Sequence, residues 1–156
     1  GLTGLWFEWQ KYFPHDLQAA RTEAETPILA EAARWLDVYF RGEEPDFLPP
    51  LHPIGSPFRQ EVWNILLRIP YGKTVTYGER ASQLAKKRGL ETLSAQAVGG
   101  AVGHNAVSIL IPCHRVVGTN GSLTGYAGGM DRKIKLLTLE RADMSRLFIP
   151  KMGTAL

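Results

Sequence analysis

The segment Ile109-Leu110-Ile111-Pro112-Cys113-His114-Arg115-Val116-Val117 contains the only cysteine of the 156-residue chain, directly before a histidine. Its apolar beginning predicts a buried strand that ends near the cysteine. A cysteine reacts as a thiolate, and a histidine is the commonest base near neutral pH. Because successive side chains of a strand point to opposite faces, we expect His114 to reach the Cys113 sulfur through a bent backbone or a bridging water.

Taken alone, a cysteine at the end of an apolar run is more often an inert core residue, so its function depends on the rest of the chain. A chain of 156 residues forms one domain or two small ones. One cysteine excludes an internal disulfide and a multi-cysteine zinc site. The histidines, among them His15, lack the i, i+4 spacing of helical metal ligands, so we expect no metal and no cofactor. We also expect a soluble, cytoplasmic protein with no membrane partner, because no signal segment or long apolar run occurs.

Charge divides the chain into two unlike parts. Residues 1–50 carry four Lys/Arg and nine Asp/Glu, whereas residues 51–156 carry fourteen and six, for net charges of −5 and +8. An ordinary lysine-rich surface would explain the second value equally well. If a polyanion binds, however, we expect it to bind the basic part.

The pattern of elements predicts an α/β (α+β) fold with two domains. The aromatic residues of 1–13 are typical of a strand or hairpin, and we expect an earlier strand that this sequence lacks. Thr26-Pro27 begins a helix that stops at Gly42. Residues 1–45 therefore form a small N-terminal α/β domain. Residues 46–55 contain Pro49, Pro50 and Pro53 and form a linker, so residues 56–156 are the second domain.

Three helices in close succession follow the linker. Ser56-Pro57 begins the first, Thr76 and Glu79 form a capping box for the second, and the third begins near Ser94. The second and third resemble a helix-turn-helix, so we predict a mainly helical, winged-helix-like domain. After the cysteine, residues 118–129 form a glycine-rich loop that lacks the lysine of a phosphate-binding loop. A final helix runs from Met130 to Glu140.

These motifs, read together, resemble a known family. Ile111-Pro112-Cys113-His114-Arg115-Val116, with Asn105 eight residues before the cysteine and Tyr126-Ala127-Gly128-Gly129 after it, is similar to the O6-alkylguanine-DNA alkyltransferases. The resemblance covers the whole chain and is strongest from Ser56 to Glu140. It implies repair of duplex DNA by irreversible transfer of an alkyl group from O6-alkylguanine, and from O4-alkylthymine, to the cysteine. The partner it implies is double-stranded DNA containing alkylated guanine, bound by a monomer.

The resemblance also implies a role for each matching residue. Cys113 corresponds to the acceptor thiol, His114 to the base that reaches it through a water, and Glu140 to the carboxylate that orients the histidine. Tyr77 corresponds to the donor to guanine N3, and Asn105 to the residue that braces the helix-turn-helix. The implied DNA-binding residues are Lys73, Thr76, Ala95, Gln96, Ala97, Gly99 and Arg115. The implied substrate-pocket residues are Ser108, Val116, Tyr126 and Ala127.

The sequence departs from the family pattern at Gln96, where relatives often have an arginine that fills the gap left by a flipped base. Gln96 is uncharged but can still hydrogen-bond the orphaned base. The loop from Lys86 to Leu93 is longer than in many relatives, and the cysteines of the N-terminal zinc site found in some members are absent.

Two other functions fit parts of the sequence. A non-catalytic protein that binds alkylated DNA and recruits repair factors would share the helix-turn-helix but lack the cysteine. A thiol hydrolase would use Cys113 and His114 but would need an oxyanion hole and would leave the basic helices unexplained. The presence of Cys113 favours the alkyltransferase over both.

Overall fold

The computed structural model describes residues 1–14 and 21–150. Within them the elements are α1 (Pro27–Phe40), α2 (Pro57–Leu66), β1 (Val75–Thr76), α3 (Tyr77–Arg88), α4 (Ala95–Gly103), a 3₁₀ helix (Cys113–Arg115), β2 (Val116–Val117) and α5 (Met130–Leu139). β1 and β2 pair in parallel, with Val75 opposite Val116 and Thr76 opposite Val117. The prediction of a mixed α and β fold is confirmed.

Local sequence signals account for the helix ends. Thr26 and Ser56 cap α1 and α2 through their side-chain oxygens, and each helix has a proline in its first turn. Thr76 and Glu79 form the predicted capping box of α3, and Gly89 ends that helix with a left-handed φ of 70°. Ser94 caps α4 by accepting hydrogen bonds from the backbone N–H groups of Gln96 and Ala97.

Two predicted strands are wrong. Among residues 1–14 the structure has only single bridges, from Leu2 to Leu51 and from Leu5 to Val107, rather than a strand or hairpin. The run before Cys113 is also not a strand, because Ile109 has a φ of 71° and Cys113 lies in a 3₁₀ helix. Apolar composition identified burial correctly, but the strained backbone at Ile109 interrupts any ladder.

One core joins the beginning of the chain to the helices. Trp35 and Tyr39 of α1 lie in the same buried cluster as Val62 of α2, Leu84 of α3 and Ile111 before the cysteine. A smaller cluster at the other side contains Val117, Leu123, Leu137 and Ala142. The N-terminal region therefore supports the segment that carries Cys113. The division into residues 1–45, 46–55 and 56–156 stays a prediction.

α4 packs against both α2 and α3, and one tryptophan ties it to α2. Trp63 is 1% exposed, and its Nε1 donates to the carbonyl oxygen of Ala101 at 2.9 Å. Ala101 lies in the last turn of α4, where carbonyl oxygens lack partners within the helix. Trp63 therefore supplies a donor that the helix itself cannot provide.

We predict that Trp63→Phe lowers the free energy of unfolding by about 1–3 kcal/mol, because it leaves a buried carbonyl without a donor. Urea denaturation measures the effect. Trp9→Phe is the matched control, because Trp9 is 88% exposed and surface changes usually cost within about 0.5 kcal/mol. Equal stability of the two variants would contradict this role of Trp63.

Candidate active site

Cys113 lies in the first turn of the 3₁₀ helix and is 4% exposed. Its Sγ accepts a hydrogen bond from Asn105 Nδ2 at 3.1 Å. Burial raises the pKa of the thiol, while the Asn105 amide, the charge of Lys133 and nearby backbone N–H groups oppose that rise. The thiol is thus protonated at rest and surrounded by groups that stabilise a thiolate once a base removes the proton.

Asn105 connects the thiol to the end of α4. Its Nδ2 also donates to the Ile111 carbonyl at 2.8 Å, and its Oδ1 accepts from the Val107 N–H at 3.0 Å. The predicted brace between the helix-turn-helix and the cysteine segment has these contacts. Sequence reasoning missed the direct bond from Asn105 to the sulfur, because a spacing of eight residues does not show where a turn brings the two side chains.

His114 and Glu140 form a fully buried pair. His114 Nε2 lies 2.6 Å from Glu140 Oε2, and both side chains are 0% exposed. Burial lowers the pKa of His114, which therefore donates as a neutral imidazole from Nε2 to the carboxylate. His114 Nδ1 is buried without a hydrogen-bond partner in the described part of the chain. The imidazole thus has one nitrogen occupied by the carboxylate and the other available as a base.

Glu140 stays ionised despite its burial. Burial alone would raise the pKa of its carboxyl group, but hydrogen bonds from His114 and Arg115 lower it to about 2. Gly72 N–H donates to Oε1 at 3.1 Å. Gly72 has a φ of 74°, and a Cβ there would lie 2.9 Å from the Glu140 backbone oxygen, so only glycine fits this close approach.

Arg115, one of the predicted DNA-binding residues, is largely buried against Glu140. Its side chain is 10% exposed, with Nε donating to Glu140 Oε1 at 2.7 Å and Nη1 to the Ile69 carbonyl at 2.8 Å. Each of its three nitrogens donates to a buried acceptor, and the assignment of Arg115 to the DNA-binding residues stays a prediction. Its charge keeps Glu140 ionised.

Tyr77 and Tyr126 lie close to the thiol. Tyr77 is 7% exposed, and its hydroxyl donates to the Gly125 carbonyl at 2.9 Å. Burial and then the Cys113 charge raise the pKa of both tyrosines, which keeps their hydroxyl groups protonated. The Tyr126 ring makes an edge contact with His114 at 6.4 Å, and its buried hydroxyl has no partner among the described residues.

The other predicted pocket residues differ in their surroundings. Val116 is fully buried in β2, and Ala127 is half-buried, accepting from the Lys11 N–H at 3.0 Å. Ser108 donates to Gln10 Oε1 at 3.2 Å. It lines a cavity of about 200 Å³ between the N-terminal segment and α1. A contact of these residues with substrate stays a prediction.

The exposed side of α4 contains most of the predicted DNA-binding residues. Ala95, Gln96 and Ala97 are exposed, as is Lys73, and Thr76 is half-buried at the start of α3. The contact of Gly99 with DNA stays a prediction, but this glycine is buried. The reason is the helical period: Gly99 shares the inward face with Val98 and Val102.

Sequence reasoning missed Lys133. This side chain is 0% exposed, and Nζ donates to the Val116 carbonyl at 2.6 Å and the Thr124 carbonyl at 3.1 Å. Burial lowers its pKa to about 8. The bonds join β2 to the glycine-rich loop beside the thiol. A lysine on the apolar face of α5, between Met130 and Leu137, was the signal that could have identified it.

Within residues 1–14 and 21–150, no group of three His, Cys, Asp or Glu side chains could hold a metal ion, and His15 lies outside those residues. In the same residues, no helix has the length and apolar character needed to cross a membrane.

Comparisons with known proteins agree on one family. Residues 57–142 match the family described as "6-O-methylguanine DNA methyltransferase, DNA binding domain". The chain is 46% identical over 117 residues to a methylated-DNA–protein-cysteine methyltransferase of Mycobacterium leprae, covering 75% of this chain and 68% of that protein. It is 39% identical over 145 residues to an inducible enzyme of the same name from Bacillus subtilis, covering 92% and 76%. The crystal structure of Mycobacterium tuberculosis OGT in complex with DNA superimposes with a TM-score of 0.76 and 42% identity, covering 90% of this chain and 82% of that one.

The pKa of Glu140 generates a test of the buried network. A carboxyl group whose pKa falls from 4.5 to about 2 on folding stabilises the protein above pH 4.5, and this contribution is lost as the pH falls toward 2. We predict that the unfolding free energy of wild type decreases more steeply between these pH values than that of Glu140→Gln, which cannot titrate. Urea midpoints across this range measure it, and parallel curves would contradict the assignment.

Proposed function

Because this chain belongs to the family of 6-O-methylguanine DNA methyltransferases, we propose that it repairs DNA by transferring an alkyl group from O6-alkylguanine in duplex DNA to Cys113. The observation that carries this proposal is the arrangement at the thiol. Cys113 Sγ is buried beside Asn105, and the adjacent imidazole has Nε2 on an ionised Glu140 and Nδ1 free of partners among the described residues. This is a nucleophile with a base and a group that orients the base.

The proposed reaction is a single displacement. The Cys113 proton passes through a water to His114 Nδ1, and the sulfur electron pair attacks the alkyl carbon. The carbon–O6 bond breaks, and its electrons remain on guanine. Tyr77 donates to guanine N3 and neutralises the developing charge, exchanging its bond to the Gly125 carbonyl for one to the base. The thioether is stable, so each molecule acts once.

The pKa shifts favour these assignments. Because burial raises the pKa of Tyr77, its hydroxyl stays protonated and remains a hydrogen-bond donor throughout the reaction. A buried thiol is inert until deprotonated, which limits side reactions, and Asn105 can stabilise the thiolate that then forms. A hydrolase is less well supported, because the exposed side of α4, with Ala95, Gln96 and Ala97, would have no part in hydrolysis.

DNA binding completes the proposal. We assign α3 and α4 to the helix-turn-helix of a winged-helix-like domain, with the exposed Ala95, Gln96 and Ala97 against the minor groove. The small side chains of Ala95 and Ala97 allow close approach, and Gln96 fills the gap left by the flipped base. Lys73 contacts phosphate from beside α3. The protein acts as a monomer, and we assign it to the cytoplasm, associated with the nucleoid.

We predict that incubation with duplex containing O6-methylguanine adds one methyl group to Cys113, as measured by intact mass and peptide mapping. Cys113→Ser should retain duplex binding, because α4 is unchanged, but accept no methyl group. Tight binding without an adduct on wild type would favour the non-catalytic alternative, and repeated turnover would favour the hydrolase.

We also predict that Gln96→Ala slows transfer from duplex by about tenfold. The state with the base flipped out loses the hydrogen bond from Gln96 to the orphaned base, which stabilises it by about 1–2 kcal/mol. Transfer from the free base O6-methylguanine should be unchanged, since no flipping is needed. Single-turnover kinetics on the two substrates separate the effects. Lys135→Ala, an exposed change on α5, is the control, and equal slowing on both substrates would contradict the gap-filling role.

A further inference from the structure

Tyr39 lies in α1, outside residues 57–142 that match the DNA-binding family, yet its hydroxyl reaches the centre of the active site. It donates to Glu140 Oε2 at 2.6 Å across a sequence separation of 101 residues. Tyr39 is 0% exposed. It therefore cannot contact DNA directly, and any effect it has on the reaction passes through Glu140.

The oxygen that Tyr39 binds is the one that holds His114. Oε2 accepts from His114 Nε2 at 2.6 Å, from Tyr39 at 2.6 Å and from Arg115 Nη2 at 3.1 Å, while Oε1 accepts from Gly72 and Arg115 Nε. Two short bonds on one oxygen compete for the same negative charge. The tyrosine hydroxyl thus influences both the position of Oε2 and its strength as an acceptor from His114.

The Tyr39 ring is itself held in place. It stacks on Trp35 with ring centres 5.2 Å apart, and it meets the edge of Tyr71 at 6.2 Å. Burial and the Glu140 charge raise the pKa of Tyr39 far above its ordinary value. The hydroxyl is therefore a fixed and permanent donor to Oε2.

We propose that Tyr39 is a positioning residue of the alkyl transfer, which holds Glu140 Oε2 so that His114 directs Nδ1 toward the thiol and limits how strongly the carboxylate stabilises an imidazolium. The inference rests on the proposed function and adds a member to its relay. It also gives the N-terminal region a specific part in the chemistry.

The charged groups around this network are distributed over several elements. The charge of Arg115, in the 3₁₀ helix, lowers the pKa values of Glu140, His114 and Tyr39. The charge of Lys133, in α5, lowers the pKa values of His114 and Cys113. The other titratable or charged neighbours are Glu44 after α1, Tyr71 before β1, Tyr126 of the glycine-rich loop, Arg132 of α5 and Arg141 after α5. Only Tyr39 and Arg115 share Oε2 with His114 among the described residues.

The test compares Tyr39→Phe with Tyr71→Phe in single-turnover methyl transfer from duplex as a function of pH. Tyr71 is the matched control, since its ring lies beside Tyr39 but its buried hydroxyl has no partner in the described residues. We expect Tyr39→Phe to lower the plateau rate by about tenfold, because losing the bond that orients a histidine costs about 10- to 100-fold at metal sites. Tyr71→Phe should match wild type.

The pH profile separates positioning from a purely structural role. Without the hydroxyl, Oε2 carries more charge and stabilises protonated His114, which cannot act as the base. The acidic limb of the profile should therefore move to higher pH in Tyr39→Phe. The ¹⁵N NMR chemical shifts of the His114 imidazole should show the same rise in its pKa. Duplex affinity should not change, because Tyr39 is fully buried.

Thermal unfolding shows whether each variant is folded. As a second variant, replacing Tyr39 with p-aminophenylalanine retains a donor and should restore the rate and the acidic limb toward wild type. If wild type transfers methyl groups but folded Tyr39→Phe keeps its rate and pH profile, or if Tyr39→Phe is slowed and the p-aminophenylalanine variant restores neither, the inference is overturned while the proposed function stands. If wild type forms no adduct, the proposed function itself fails.

Discussion

The carboxylate of Glu140 is fully buried and accepts hydrogen bonds from Tyr39, Gly72, His114 and Arg115. Each donor comes from a part of the chain other than α5. An ionised carboxylate in a core is costly unless its oxygens are satisfied, so the three segments that supply these donors, α1, the turn at Gly72 and the 3₁₀ helix, must assemble around it together. The arrangement thereby couples folding to the geometry of the imidazole beside Cys113. The negative charge of Glu140 also keeps the His114 proton on Nε2, which leaves Nδ1 without a proton and available as a base.

The protonation state of the Cys113 thiol depends on two opposing effects, its burial and the polar groups around it. Removal from water keeps Cys113 protonated, whereas Asn105 and the charge of Lys133 favour the thiolate. Asn105 also bonds to Ile111 and Val107, so the end of α4 and the nucleophile are parts of one rigid unit. In the proposed reaction, binding of α4 to DNA would therefore fix the position of the sulfur without a further conformational change.

Local patterns predicted the helices well, and the capping residues Thr26, Ser56, Thr76 and Ser94 lie where the sequence indicated. The same patterns predict strands before Cys113 and at the N-terminus, from apolar and aromatic composition, and both predictions are wrong. Composition reports burial, and a buried bend at Ile109 with a φ of 71° is indistinguishable from a buried strand by composition alone. The burial of Arg115 against Glu140 could not be predicted for the same reason, because the identity of a basic residue does not reveal its exposure.

The sequence by itself determined the helix boundaries, the adjacency of Cys113 and His114 and the family, because caps, helical periods and the motif act over a few residues. Tertiary structure decided which charges meet. The bonds from Glu140 to Tyr39 and Arg115 span 101 and 25 residues, and Lys133 reaches Val116 across 17. Such contacts depend on how helices pack around one core, and no local periodicity encodes the direction in which a long polar side chain turns when it is buried.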